Sequence, residues 1–150
     1  MPIHIEVVTQ ERLILDEPAA DMIILPGKEG VLGVLPRHTP LLTTLDIGEL
    51  RIKAHGTEHV LAVYGGIVEI RPDKVVVLAD MAEHAEEINL EKAEEARRTA
   101  QEMMRKGPPP DEAAIIMQEL RRAELALRVR RRAQSRAGTV TLRPDDGEKT

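Results

Sequence analysis

The chain has 150 residues, room for one ordinary domain or a small domain with an appendage, and carries a formal net charge of −5. It has no Cys, Trp or Phe, one Tyr (Tyr64) and one Ser (Ser135): disulfides, thiolate metal sites and cysteine nucleophiles are excluded, Ser135 in an arginine-rich stretch without a nearby histidine argues against serine-type acyl transfer, and the surface offers almost nothing for stacking bases. No apolar run approaches the roughly 20 residues that span a bilayer, and strand-like residues begin at Ile3, so no removable targeting segment is expected and a bacterial-type cytoplasmic location is favoured.

Up to about residue 84 the chain reads as short strands, β-branched and aliphatic runs separated by Gly, Pro, Asp and Asn. The expected strands are Ile3–Thr9, Arg12–Glu17, Ala20–Leu25, Gly30–Leu35, Gly48–His55, Glu58–Val63, Gly66–Ile70 and Lys74–Leu78. Their spacing predicts an antiparallel β-sandwich. Pro72-Asp73 predicts a turn, His55-Gly56-Thr57 a hairpin, and Gly65-Gly66 a bulge or a close backbone approach.

After Asp80 the composition shifts to Ala, Glu, Arg and Met, and the apolar period lengthens to between three and four. A helix is predicted over Leu90–Arg105 with the stripe Ala93, Ala96, Ala100 and Met103; Gly107 and Pro108-Pro109-Pro110 stop it, and Asp111 is the expected cap of a second helix. That second helix carries Ala113, Ile116, Leu120, Ala123 and Leu127 on one face, so the two stripes predict an antiparallel hairpin. Alanine packing predicts weak docking, on the order of 1 kcal/mol or less per methyl. The fold class is therefore β + α: an N-terminal antiparallel β-sandwich (1–84), a C-terminal antiparallel two-helix hairpin (85–136) and a flexible tail (137–150).

Charge divides the same way. Residues 1–87 hold 7 Lys+Arg against 15 Asp+Glu, net −8, whereas residues 88–136 hold 12 against 8, net +4. The positive charge concentrates at Arg121, Arg122, Arg128, Arg130, Arg131, Arg132 and Arg136, with Glu124 the only acid among them. Such a helix suits an acidic protein surface; a nucleic-acid module is the alternative, disfavoured by the acidic first domain and the missing aromatics.

Motifs for chemistry are sparse. No Gly-Lys-Ser/Thr supports a phosphate loop at Gly27–Gly30, and His55 and His59 straddle a hairpin without HExxH spacing, so no metal is expected. The paired acids Glu86-Glu87 and Asp145-Asp146 fit a helix entrance and the tail.

The run Leu25-Pro26-Gly27-Lys28-Glu29-Gly30-Val31-Leu32-Gly33-Val34-Leu35-Pro36-Arg37-His38-Thr39-Pro40-Leu41-Leu42, followed by Gly48, resembles the signature of the epsilon subunit of rotary F-type ATP synthases. Gly65–Ile70, Val75–Asp80 and Arg122–Leu127 resemble further blocks of that family, in order, across residues 2 to about 134. The resemblance implies a non-catalytic central-stalk subunit that binds gamma and the c-ring, meets the alpha and beta catalytic subunits, and helps couple hydrogen ion transport to ATP synthesis. It implies a peripheral place on the cytoplasmic face of the bacterial plasma membrane. Glu29, Gly30 and Val31 would then face the c-ring, with Val31 where many relatives carry an acid, and His38 would lie near gamma.

The resemblance also implies a hairpin that either folds on the sandwich or extends along gamma. Extended, the arginines would meet an acidic segment of the beta subunit and restrain hydrolysis. Some relatives bind ATP at the hairpin; the matching residues here are Glu83, Ile88, Asn89, Lys92, Ala93 and Arg122. Asn89 stands for an acid and Lys92 for an arginine, so weak or absent ATP binding and no obligatory cofactor are expected.

Overall fold

In the computed structural model the backbone is described for residues 1–141 and side chains through Ala133. Eight strands precede two helices: β1 (Ile3–Val8), β2 (Leu13–Ala20), β3 (Met22–Gly27), β4 (Gly30–Val34), β5 (Leu41–Ala54), β6 (Thr57–Ile70), β7 (Lys74–Ala79), β8 (Ala82–His84), α1 (Leu90–Arg105) and α2 (Pro110–Thr141). The strand order is β2-β1-β7-β6-β5-β3-β4, with β8 added beside β6.

The sandwich is one sheet folded over. Strands β5 and β6 are 14 residues each and pair from Leu41↔Ile70 to Ala54↔Thr57, so one half of the ladder joins β7 and the other joins β3 and β8. The expected break between Val63 and Gly66 is absent because Gly65 (φ 86°) and Gly66 (φ 141°) bend the strand without ending it. Gly66 is also a close approach: a Cβ there would lie 2.3 Å from the Leu78 carbonyl oxygen. Strand β5 starts at Leu41 rather than Gly48; Leu41 and Leu42 both face solvent, which hides the alternation.

One pair departs from the antiparallel expectation, since β1 runs parallel to β7 from His4↔Lys74 to Val8↔Leu78. Strand β1 lies between β2 and β7, with Ile3, Ile5 and Val7 turned inward into the core that holds Ile23, Leu25, Val34, Leu50 and Ile52. The short β8 and the 3₁₀ turn Ala85–Glu87 were not expected from sequence.

Helix α1 has the expected bounds, with Asn89 Oδ1 accepting from the Lys92 backbone N–H at 3.1 Å. Gly107 at φ 64° receives the chain after it. Asp111 is not the cap of α2. The helix starts one residue earlier at Pro110, whose missing N–H suits the first position, and the Pro109 carbonyl accepts from Ala113 N–H. The helix also runs on through residues 137–141, which the sequence reading placed in the tail, because one glycine costs a helix only about 1 kcal/mol. The remainder of the predicted tail lies outside the described residues.

Hairpin docking is stronger than alanines alone provide. Ala93, Ala100, Ile116, Ala123 and Leu127 are buried as expected, whereas Ala96 and Met103 are exposed. In addition Leu125, Ala126 and Val129 are buried against Val60, Ala62 and Tyr64 of β6 and against Ala85 and Ile88. Each large aliphatic side chain so covered contributes roughly 1.5–3 kcal/mol relative to exposure. Strand β6 thus has both faces covered, Leu61 and Val63 by the sandwich and Val60, Ala62 and Tyr64 by the helices.

Candidate functional sites on the seam, the tip and the outer sheet

The seam between sheet and hairpin is electrostatic as well as apolar. Arg121 lies 3.2 Å from Asp46 Oδ2, Arg128 Nε donates to Glu49 Oε1 at 3.2 Å, and Arg132 lies 3.2 Å from Glu49 Oε2. Positions 121, 128 and 132 share one face of α2, and Asp46 and Glu49 lie on either side of Ile47-Gly48 in β5. The Ile47 backbone N–H, donating at 2.8 Å, holds the Asp46 carboxyl below its ordinary range, and Arg121 adds to that. Three arginines expected to seek an acidic partner therefore have one within the chain. Arg131 is exposed, while Arg122 and Arg130 are half-buried with Nε atoms lacking a hydrogen-bond partner.

The residues predicted around a nucleotide do converge. Glu83, Asn89, Lys92, Ala93 and Arg122 line a cavity of about 450 Å³ between sandwich and hairpin, together with Tyr64, Glu87 and Glu119. Four of its polar side chains, those of Tyr64, Glu83, Glu87 and Asn89, are already engaged. The Tyr64 hydroxyl donates to Glu83 at 2.8 Å, and burial followed by that carboxylate pushes the phenol well above its usual range. Asn89 is spent on capping α1, and Glu87 accepts from Arg12 at 2.8 Å. The His84 backbone N–H, then Arg12, lowers the Glu87 carboxyl. Three glutamates face Lys92 and Arg122, a poor balance for a triphosphate.

Glu29, Gly30 and Val31 form the exposed tip of the β3–β4 hairpin, where Gly30 has φ 135° and Val31 is 76% exposed. His38 stands apart from them on the β4–β5 connection, half-buried, with Nδ1 2.7 Å from the Thr39 carbonyl oxygen.

A further surface was not read from sequence. The registers Leu13↔Val8, Val8↔Leu78, Leu78↔Ile67 and Ile67↔Thr44 place one row across five strands, and Leu13, Leu78 and Ile67 are exposed along it. Leu42, 69% exposed, extends the apolar row on β5. A contiguous apolar stripe on a sheet face marks a binding surface more often than scattered exposed leucines do.

Residues 2–85 match the family model described as ATP synthase, Delta/Epsilon chain, beta-sandwich domain. The chain is 43% identical over 136 residues to the ATP synthase epsilon chain of Herpetosiphon aurantiacus, covering 91% of this chain and 99% of that one. The chain belongs to the ATP synthase epsilon family. It is likewise 44% identical over 129 residues to the epsilon chain of Chloroflexus aggregans, covering 86% of this chain and 92% of that one. In three dimensions it is similar to a chain of the Euglena gracilis mitochondrial ATP synthase OSCP/F1/c-ring structure, with TM-score 0.64, 25% identity, and coverage of 91% and 81%. Members of this family are non-catalytic subunits of ATP synthase. Among the described residues no helix is long and apolar enough to cross a membrane.

Proposed function

We propose that this epsilon chain is a central-stalk subunit that binds gamma and the c-ring, helps couple hydrogen ion transport to ATP synthesis, and restrains ATP hydrolysis through its basic hairpin. The observation that carries the reading is the pairing of the α2 arginines with acids of the sandwich. Those arginines pair with Asp46 and Glu49 while the hairpin lies on the sandwich, and the same charges suit an acidic surface on the beta subunit once it leaves. The stripe Leu13–Leu78–Ile67–Leu42 supplies apolar area for gamma, and the tip at Glu29, Gly30 and Val31 meets the c-ring. The working position is on the cytoplasmic face of a bacterial plasma membrane, reached through those partners.

Charge does not oppose folding of the hairpin, as an alanine-only seam would suggest. It acts in both states, so the balance between folded and extended hairpins depends on the difference between two sets of ion pairs plus the burial of Leu125, Leu127 and Val129. Regulatory ATP plays little part: the cavity holds three glutamates, and Asn89 and Lys92 replace the groups relatives use. Calorimetry on the full chain tests this directly. Negligible heat with ATP is expected, and micromolar affinity overturns it. For the stalk assignment, retention of the chain by gamma at physiological salt is expected, and loss of retention after replacing Leu78 and Ile67 with Glu locates the contact. Retention by nucleic acid but not by gamma would overturn it.

A further inference from the structure

Among the described residues, one cluster of three side chains brings metal-ligating atoms together: His4, Glu6 and Asp16. Strand geometry explains it. His4 and Glu6 are two residues apart on β1 and so share a face, and Asp16 on β2 is the register partner of Glu6. His4 Nε2 lies 2.5 Å from Asp16 Oδ1 and 3.6 Å from Glu6 Oε1, and one ligand atom from each residue falls within 4.8 Å of the other two.

We propose that these three side chains form a surface site for a divalent transition metal ion of the Zn²⁺ class. Zinc bonds of about 2.0–2.1 Å in a tetrahedral arrangement set ligand atoms roughly 3.3 Å apart, between the 2.5 Å and 4.8 Å that bound this cluster, so side-chain rotations complete the triad. One imidazole nitrogen with two carboxylates suits zinc or cobalt; calcium needs more oxygens than the cluster offers, and magnesium seldom leaves its water. The two carboxylates neutralise the ion. Lys74 Nζ lies 3.0 Å from Glu6 Oε1, the same oxygen that lies 3.6 Å from His4 Nε2, so an ion bound there displaces the ammonium from that oxygen. Half-exposed surroundings let water take the fourth position.

The carrying backbone is anchored on both sides: β1 pairs with β7 without a break from His4 to Val8, and Glu6 pairs with Asp16 of β2, although the β1–β2 register shifts between Ile3 and Ile5. A bound ion would tie the edge strand β2 to β1. It would sit on the same outer face as Val8, Leu78 and Ile67, alongside the apolar stripe. This inference stands on β1 and β2 alone and does not depend on the stalk assignment.

The full chain should be titrated with ZnCl₂ in a chelator-free buffer, read by calorimetry and by imidazole resonances in two-dimensional NMR. One equivalent should bind and shift the His4 resonances but not those of His38, His55, His59 or His84. Binding should vanish in His4→Ala and weaken about tenfold or more in Asp16→Asn, since even supporting ligands cost that much. Both positions are partly exposed, so the fold should survive either change, and circular dichroism checks that it does. No saturable binding, binding that survives His4→Ala, or equal affinity for Mg²⁺ would each overturn the site.

Discussion

Glu49 of β5 receives Arg128 of α2, with Nε donating to Oε1 at 3.2 Å across 79 residues of sequence, and the second oxygen of the same carboxylate faces Arg132. The Glu49 side chain is only 12% exposed while Arg128 remains 57% exposed, so the acid is the constrained partner and the arginines are free to exchange it for another. Such half-open pairs are worth about 1 kcal/mol or less each once solvent screening is counted.

Glu49→Gln should therefore loosen the hairpin by roughly 1 kcal/mol without unfolding the sandwich. Hydrogen exchange would read this as faster exchange of the α2 amides around Leu125–Val129 with β1 and β7 unchanged. Equal protection in both proteins would show that the apolar seam alone holds the helix.

The apolar seam itself carries the larger share. Leu127→Ala, at a position 2% exposed, should cost about 2–5 kcal/mol, whereas Ile115→Ala, at a position 64% exposed near the turn of the hairpin, should change stability by about 0.5 kcal/mol or less. Urea unfolding of the two variants compares them.

Much of this architecture was legible beforehand. Leu90–Arg105 was readable because Ala, Glu and Arg repeat at helical spacing and Gly107 ends the run. The continuity of β5 and β6 was not, because a glycine pair is as compatible with a strand break as with a bend; tertiary pairing decides. The site reading divides similarly. Glu83, Lys92 and Arg122 were named and do share a cavity, but Tyr64 and Glu119 complete it from elements whose packing no local pattern reports. Asp46 and Glu49 carry no local signal of a pairing role. Only the docking of α2 makes them counterions, and only strand register assembles Leu13, Leu78 and Ile67 into a stripe.

Gly66→Ala should be among the most damaging single changes. Its φ of 141° disfavours any side chain, and the new Cβ would meet the Leu78 backbone at 2.3 Å, so a loss of several kcal/mol is expected. Gly56→Ala, at φ 75° with nothing within 4 Å, should cost only about 1–2 kcal/mol. Thermal unfolding of both separates steric clash from backbone strain alone.

Acid should weaken the structure in a defined window. The carboxyls of Asp46 and Glu87 are held below their ordinary values of 3.8 and 4.5, so the folded state binds their protons less readily than the unfolded chain. Their contribution is present in full above those values and is lost as pH falls through the lowered ones. Asp46→Asn should flatten part of the acid limb in urea titrations run below the ordinary carboxyl range, and an unchanged limb would argue against the Ile47 and Arg121 contacts.

The most direct test of the central claim is ATP hydrolysis by an epsilon-free catalytic complex from the same source, with either the natural chain or a variant in which Arg128, Arg130, Arg131 and Arg132 are replaced by alanine. Both should bind, since the sandwich is untouched, and the natural chain should slow hydrolysis while the variant slows it much less. Equal inhibition by two bound proteins would contradict the role assigned to the arginines of α2.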